Sequence, residues 1–197
     1  MSYSLDSLQD DCYENSTVLK NKFGIKNEKH LNEIEQVLSA INAAEIELNY
    51  PIENVDFKYY KKLHQMLFED IYEWAGKIRS VNMSKKGVNF CNFNSIHENG
   101  NRIFGGIKSK SYFVGMKFDS FIDEIVDVYC DLNFLHPFRE GNGRGQRLFF
   151  TLLIKNAGYD IDFSKIDTEL LMIATIKSVS GDIFLLRNII NNHIKEV

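Results

Sequence analysis

The chain has 197 residues, of which 44% are hydrophobic, and a formal net charge of −4. This size and composition predict a single domain, 1–197, with one core and enough surface for a cleft. Lysine and arginine are scattered in ones and twos, so the sequence offers no basic patch for a nucleic-acid backbone, and no apolar run is long enough to span a membrane. We therefore expect a protein or a small molecule as partner, with no nucleic acid and no membrane.

The cysteines Cys12, Cys91 and Cys130 are odd in number and widely spaced. This pattern fits neither a disulfide framework nor a zinc site, so we interpret them as reduced thiols. The first residues lack the basic and apolar regions of a signal peptide. These two features favour a cytoplasmic location.

Most of the chain is predicted to be α-helical, because turn signals separate long segments with apolar residues at helical spacing. A first helix is expected over about 27–48, with an apolar face that enters the core. That face consists of Leu31, Ile34, Val37, Leu38, Ile41 and Ala44. Asp56 can cap a second helix, which we expect to continue to Gly76.

After Arg79 the pattern changes to two short extended arms with a Lys-Lys-Gly turn at 85–87, which predicts a β-hairpin over about 79–95. No other strand is predicted, so we expect the hairpin to be isolated among helices and to act as a functional flap. Ser95 and Glu98 have the spacing of a capping box and predict a helix to about residue 112.

Four further helices are predicted in the second half of the chain. Apolar residues at helical spacing indicate a core helix over 118–135, ended by Pro137, and a central helix over 144–156, stopped by Gly158. Two more helices are expected over about 167–179 and 182–194, each opened by an aspartate cap.

The loop between the core helix and the central helix contains the candidate residues for binding an anion and for catalysis. Glycines at 141 and 143 let main-chain N–H groups approach an anion at the start of the next helix. Arg144 and Arg147 lie on nearly the same face of that helix and could both reach phosphates. Glu140 could bind Mg²⁺ together with phosphate oxygens, and His136 is a candidate general base.

The residues alone leave two readings of this loop open. A helix-breaking loop with one histidine, one glutamate and two arginines is often only a solvated turn with local ion pairs. Neither the Gly-x-x-x-x-Gly-Lys-Ser/Thr pattern nor a strand before the glycines is present. Chemistry by itself therefore predicts a phosphate-binding helix N-terminus with a possible base.

Residues 136–147 read His-Pro-Phe-Arg-Glu-Gly-Asn-Gly-Arg-Gly-Gln-Arg and fill every specified position of His-x-Phe-x-(Asp/Glu)-Gly-Asn-Gly-Arg-x-x-Arg, the signature of the Fic family. Segments 16–25, 68–79 and 81–85 resemble the family as well, so the similarity covers nearly the whole chain. The resemblance implies an all-α Fic-type helical bundle with a small β-hairpin flap over the active-site loop. It also implies an N-terminal extension over 1–26 and an active-site loop and helix over 136–157.

For most Fic proteins with an intact signature, the resemblance implies transfer of AMP from ATP to a Tyr, Ser or Thr hydroxyl of another protein, with release of pyrophosphate. His136 would be the catalytic base and Glu140 the Mg²⁺ ligand. The nucleotide would be bound by Gly141, Asn142, Gly143, Arg144 and Arg147. Phe138 would pack in the core and anchor the loop.

The flap of this family pairs with the segment of the target that carries the hydroxyl, so residues 81–93 are expected to dock the target protein. The alternative is that Val88 and Phe90 only cover the core. His64 and His97 are interpreted as surface or hydrogen-bonded helix residues rather than ligands, and Cys91 is given no role.

Many Fic proteins contain an inhibitory Ser/Thr-x-x-x-Glu-(Gly/Asn) helix, whose glutamate pairs with the second arginine of the signature. Glutamate precedes Gly or Asn here only at 14, 53, 98 and 140, and the residues four positions earlier are Asp, Asn, Asn and His. The resemblance therefore favours a toxin whose inhibitory glutamate comes from a small separate antitoxin that binds at Arg147. Control by another route is the alternative.

Two other functions remain open from the sequence. Related Doc toxins phosphorylate their target, and a few Fic proteins transfer UMP or phosphocholine. Doc-type loops have Ala and Lys where this chain has Gly141 and Gly143, so its glycines favour AMP transfer. The second possibility is a non-catalytic nucleotide-binding interaction module.

Overall fold

The computed structural model describes residues 4–5, 11–50, 52, 54–85 and 87–196. In these residues the fold is mostly helical, which confirms the predicted class. The helices are α1 (Glu28–Asn49), α2 (Phe57–Phe68), α3 (Ile96–Ser109), α4 (Phe118–Leu135), α5 (Asn142–Asn156), α6 (Thr168–Val179) and α7 (Phe184–His193). The strands are β1 (Ser4–Leu5), β2 (Met83–Lys85), β3 (Val88–Asn89), β4 (Tyr159–Ile161) and β5 (Ile194–Glu196). None of the helices in the described residues is long and apolar enough to cross a membrane.

Helix α5 is the central helix, as its sequence predicts. It packs against α1, α2, α4 and β4. Its apolar residues are buried on several sides, and Phe149 and Phe150 are fully inaccessible to solvent. The first turn of α5 follows the active-site loop directly, so the best-packed helix of the fold holds one end of that loop.

Helix α1 has the predicted bounds, but its apolar face is turned differently from the prediction. Val37 and Ile41 are 59% and 57% exposed, whereas Glu35 and Ser39 are buried. Both buried polar side chains have a partner on the inner side of α1, because Arg144 of α5 donates hydrogen bonds to Glu35 and to Ser39. The inner face of α1 therefore includes an ion pair. Of the predicted apolar face, Leu31 and Leu38 still contact the core, while Val37, Ile41 and Ala44 are left at the surface.

Helix α2 begins at the predicted Asp56 cap, whose side chain accepts a hydrogen bond from the Tyr59 N–H. It ends at Phe68, however, eight residues before the predicted Gly76. The Phe68 carbonyl accepts hydrogen bonds from the N–H groups of Ile71 and Tyr72, which starts a series of turns. Gly76 ends those turns with φ of +77°, and a Cβ there would lie 2.9 Å from the Lys61 carbonyl oxygen. Gly76 therefore allows the backbone that follows α2 to pass close to that helix, where a side chain would not fit.

The flap hairpin is present but is not isolated as predicted. Its strands β2 and β3 are antiparallel, and β1 from the start of the chain pairs with the other edge of β2 to give the order β1-β2-β3. A second small sheet joins β4 and β5. Both additional pairings use two- or three-residue strands, which are too short to give an alternating sequence pattern.

The predicted caps are confirmed in part. The Asp167 side chain accepts hydrogen bonds from two N–H groups at the start of α6, and Asp182 accepts one from the Phe184 N–H at 3.3 Å. The Ser95 side chain makes no capping bond. A 3₁₀ turn over Phe93–Ser95, capped by Asn92, leads into α3 instead, so Ser95 already has helical backbone angles.

Candidate active site

The active-site loop joins α4 to α5 and begins at His136 in the left-handed conformation, with φ of +41°. Such a conformation is uncommon for a residue with a side chain and is held by surrounding contacts. The His136 N–H donates to the Leu132 carbonyl, and the His136 carbonyl accepts a 2.8 Å hydrogen bond from Nε of Arg79. The backbone at His136 is therefore fixed from both sides.

The imidazole of His136 is buried beneath the flap. It is 7% exposed and stacks on the Phe90 ring, with centroids 3.7 Å apart and planes 8° from parallel. Burial, together with the nearby positive charges of Arg79 and Lys85, lowers the pKa of His136 to about 3. A backbone hydrogen bond with Asn133 raises this pKa, but its effect is smaller than that of burial. The ring is consequently neutral near pH 7 and can accept a proton, as a general base must.

Asn142 closes the loop with its side chain. Oδ1 accepts from the Phe138 N–H at 2.9 Å, and Nδ2 donates to the Phe138 carbonyl at 2.8 Å. The sequence assigned Asn142 to nucleotide binding. Its amide is thus held within the loop by both polar atoms, while the main-chain N–H of Asn142 has no acceptor in the described residues and can bind an anion.

The two glycines beside Asn142 differ in what surrounds them. Gly141 has φ of +77°, and a Cβ there would lie 2.5 Å from the Phe68 ring and 3.0 Å from His64. Gly143 is exposed, and a Cβ there would approach only the end of the Arg147 side chain, at 3.3 Å. Packing inside the protein thus requires glycine at 141, whereas glycine at 143 keeps open the space in front of the helix.

The start of α5 offers unpaired main-chain donors. In the described residues the N–H groups of Asn142, Gly143 and Arg144 have no acceptor, while the Gly141 N–H donates to Glu140 Oε1 at 2.9 Å. Free N–H groups at a helix N-terminus carry partial positive charge and bind anions. The geometry at the start of α5 is therefore suited to an anion.

The two arginines of the signature are held in different ways. Arg144 Nη2 lies 2.6 Å from Glu35 Oε2, and its guanidinium lies over the Phe68 ring at 4.7 Å. Arg147 makes no ion pair with the described residues. Burial lowers the pKa of Arg147, and the charge of Arg144 adds to this effect. Arg147 is thus a partly buried cation with its charge available to a ligand.

Two neighbouring cavities are lined by these residues, and we refer to the two together as the cleft. One, of about 230 Å³, contains His136 and Gly143 and is closed by apolar side chains of α6, including Leu171 and Ile176. The other, of about 540 Å³, is polar and contains Glu140 and Arg144. Both are lined by Lys85, Arg147 and Met172. An apolar compartment next to a charged one suits a ligand with a flat apolar group at one end and phosphates at the other.

Three carboxylates line the polar compartment, those of Glu28, Glu35 and Glu140, and Glu140 is the one in the loop just before α5. Its Oε2 has no hydrogen-bond partner in the described part of the chain, and no group of three or more His, Cys, Asp or Glu residues suited to a metal occurs there. Mg²⁺ is usually bound by one or two carboxylates together with substrate phosphates. One available carboxylate beside an anion site fits that kind of metal binding.

Two side chains shape the loop in a way that the sequence did not predict. The first is His64, which was expected to be a surface or hydrogen-bonded helix residue and is the latter. His64 is fully buried, its Nδ1 accepts from the Gly76 N–H at 3.0 Å, and its Nε2 is 2.9 Å from the Glu140 carbonyl. Because Nδ1 is an acceptor, Nε2 carries the hydrogen and donates to Glu140. His97, by contrast, is exposed and contacts Asn101, as expected of a surface residue.

Arg79 is the second of these side chains. It is 5% exposed and donates hydrogen bonds to the carbonyls of His136, Val81 and Cys91, the latter two at 2.5 Å. Its main-chain N–H donates to the Pro137 carbonyl. One side chain thus joins the loop to both arms of the flap. No periodicity signals such a role, since the contacts depend on tertiary structure.

The fold and the cleft define a helical protein in which free main-chain donors at a helix N-terminus lie beside a neutral imidazole. Residues 54–154 match the Fic/DOC family. The chain belongs to this family.

Individual relatives match over most of this chain. The Salmonella typhimurium protein named "Probable protein adenylyltransferase Fic" is 32% identical over 93% of this chain and 91% of its own length. Protein adenylyltransferase VbhT of Bartonella schoenbuchensis is 32% identical over 91% of this chain, but over 37% of its own length. The crystal structure of the Bartonella tribocorum effector BepC with bound AMPPNP superposes with a TM-score of 0.91 at 27% identity, covering 96% of this chain and 98% of that one.

The two buried histidines predict acid sensitivity of the fold. Burial lowers the pKa of both His64 and His136 from 6.5 to about 3. Between these values the unfolded chain binds protons that the native chain cannot, so stability falls as the pH drops below about 6.5. Each histidine contributes a slope of about 1.4 kcal/mol per pH unit. The free energy of unfolding, measured with urea at pH 7.5, 6.0 and 5.0, gives this slope.

The variant His136→Ala provides the control for this prediction, because it removes one of the two groups. Its slope should be about 1.4 kcal/mol per pH unit shallower between pH 6.0 and 5.0. An unchanged slope would mean that His136 titrates in the native protein as it does in the unfolded chain, and would contradict the lowered pKa of the buried ring.

Proposed function

We propose that this protein is a protein adenylyltransferase that transfers AMP from ATP to a hydroxyl side chain of a target protein and releases pyrophosphate. The observation that carries the proposal is the cleft, in which neutral His136 lies in one compartment with Gly143 and Arg147, next to a polar compartment with Glu140 and Arg144. Support comes from relatives named protein adenylyltransferases and from a similar structure that binds AMPPNP.

In the proposed reaction the neutral His136 ring takes the proton of the target hydroxyl. The hydroxyl oxygen forms a bond to the α phosphorus of ATP, the bond between that phosphorus and the bridging oxygen breaks, and pyrophosphate leaves with the electron pair. The free N–H groups of Asn142, Gly143 and Arg144 stabilise negative charge on the phosphoryl oxygens. Arg144 and Arg147 hold the β and γ phosphates in line with the attack.

Glu140 would bind Mg²⁺, which neutralises phosphate charge when present. The polar compartment supports this role, because Glu140 Oε1 is fixed by the Gly141 N–H and Oε2 remains available. The apolar compartment lined by α6 suits the adenine ring. We also infer that the protein acts in the cytoplasm, which the three unpaired cysteines support.

Labelled ATP separates the possible activities. Incubation of the protein with cell extract and α-labelled or γ-labelled ATP should give α label on a protein band and no γ label. His136→Ala should lower the labelling by about 10²- to 10⁴-fold, the usual contribution of a general base. A band with γ label would indicate phosphorylation, and no label with either ATP would indicate a binding module.

We propose that the target segment adds to the free edge of the flap. The β2 edge is already paired with β1, whereas the outer edge of β3 has no strand beside it in the described residues. The Phe90 N–H donates inward to the Met83 carbonyl, so the N–H of the preceding residue, Asn89, points outward. Val88 and Phe90 line the compartment of His136, which places this edge beside the proposed base.

Asn89→Pro tests this docking mode, because proline removes the outward N–H without removing an inward one. We expect target labelling to fall by at least tenfold, with AMPPNP affinity within twofold of the wild type. Asn89→Ala keeps the N–H and is the matched control. Labelling by Asn89→Pro at the level of Asn89→Ala would exclude pairing at this edge.

A small inhibitory partner is the proposed regulator. Arg147 has no carboxylate partner in the described residues, and the chain lacks a Ser/Thr-x-x-x-Glu-(Gly/Asn) sequence that could supply one. We propose that an antitoxin with this sequence places its glutamate on Arg147. The exposed apolar side chains of α1, which include Val37, Ile41 and Leu48, could hold an apolar helix face. The neighbouring residues Ala40 and Ala43 of α1 line a cavity that also contains Arg147.

Expression of the chain without such a partner should arrest growth of bacterial cells, and expression of His136→Ala should not. Growth curves with matched protein levels measure this difference. Co-expression of a short protein with the inhibitory sequence should restore growth, and its Glu→Ala variant should not. Normal growth with wild-type protein alone would contradict the toxin assignment.

A further inference from the structure

Arg144 is fixed by groups that lie outside the active-site loop. Glu35 and Ser39, both on α1, bind its two terminal nitrogens, with Nη2 to Oε2 at 2.6 Å and Nη1 to Oγ at 3.3 Å. The ring of Phe68, at the end of α2, lies beneath the guanidinium. The position of Arg144 is thus set by two other helices before any ligand binds.

Glu35 is itself held on the side away from Arg144. It is 5% exposed, and its Oε1 accepts a hydrogen bond from the Tyr72 hydroxyl. Burial and the charge of Glu35 raise the pKa of Tyr72, so that hydroxyl stays protonated and remains a donor. Both carboxylate oxygens are therefore occupied, and Glu35 has little freedom to follow Arg144 elsewhere.

The bonds to Glu35 and Ser39 leave most of the arginine available. A guanidinium has five N–H donors, and these two contacts use one on each terminal nitrogen. Arg144 is only partly buried and lines the polar compartment next to Glu140 and Arg147. The remaining donors can therefore meet phosphate oxygens while the ion pair stays in place.

We propose that Glu35 is a positioning residue for nucleotide binding, which holds the Arg144 guanidinium ready for the β and γ phosphates. This inference rests on the proposed function, since it takes ATP as the ligand. A flexible arginine would lose side-chain freedom on binding, whereas one already held by Glu35, Ser39 and Phe68 loses little. The role is specific to the polyphosphate, because an AMP ligand has no β or γ phosphate for Arg144 to contact.

Calorimetric titration of Glu35→Gln with Mg²⁺-AMPPNP and with AMP tests the proposal. Glutamine keeps the size of the side chain and can still accept one hydrogen bond, but it removes the charge. We expect AMPPNP binding to weaken by about three- to tenfold, with AMP binding within twofold of the wild type. Equal weakening for both ligands would show a general loosening of the cleft and would overturn the proposal, as would unchanged or tighter AMPPNP binding.

Two further variants make the result specific. Glu47→Gln removes another α1 carboxylate that pairs with α5, through Lys155 at 3.0 Å, and should change neither affinity. In an Arg144→Ala background, Glu35→Gln should cause no further loss of AMPPNP affinity, because the residue that it positions is gone. A full additional loss there would overturn the proposal.

Ser39→Ala keeps the inference testable if Glu35→Gln does not fold. It removes only the Nη1 contact and should weaken AMPPNP binding by about twofold, again without an effect on AMP. The binding assay also separates this inference from the proposed function. Wild-type protein that binds AMPPNP but transfers no α label would overturn the proposed function alone, and equal AMPPNP affinity of wild type, Glu35→Gln and Ser39→Ala would overturn the role of Glu35 alone.

Discussion

The active-site loop lies inside the protein, and its main-chain polar groups therefore need partners from the protein itself. His136, Phe138 and Asn142 are each less than 10% exposed. The Asn142 amide binds both polar groups of Phe138, His64 binds the Glu140 carbonyl, and Arg79 binds the carbonyl of His136. In the described residues the N–H groups of Asn142, Gly143 and Arg144 at the start of α5 remain without an acceptor, so an anion can use them.

The same requirement links the loop to the rest of the fold. His64 connects it to α2 and, through Gly76, to the turns that follow. Arg79 connects it to the flap, and Arg144 connects the first turn of α5 to α1. Phe138, fully buried and stacked on His64 with centroids 3.7 Å apart, fills the space between these contacts. The loop is thus a junction of α1, α2, α5 and the flap rather than a surface turn with local ion pairs.

Sequence patterns predicted the features that depend on local chemistry. Helix α4 has the predicted bounds, and α5 begins two residues before the prediction because Gly141 takes a left-handed conformation and lets the helix start at Asn142. The predicted site residues His136, Glu140, Gly143, Arg144 and Arg147 line two cavities that share Arg147. Such agreement is expected where glycines, caps and apolar spacing determine the structure within a few residues of themselves.

Features that depend on distant contacts were not predicted. The periodicity of α1 shows that it has an apolar stripe but cannot show that Glu35 and Ser39 face inward, because their partner Arg144 is more than 100 residues away. The early end of α2 and the addition of β1 to the flap have similar causes. The sequence could therefore predict which residues surround the cleft, while the residues that hold them in place could be identified only from the structure.

The contrast between Gly141 and Gly143 bears on how such a site can change in evolution. A side chain at 141 would collide with Phe68 and His64, so a change there has to be matched by changes in the core. A side chain at 143 would enter the cleft and meet little except the end of Arg147. Substitution at 143 can thus alter the ligand or the transferred group without rebuilding the loop, and this position is a simple route from one transferase activity to another.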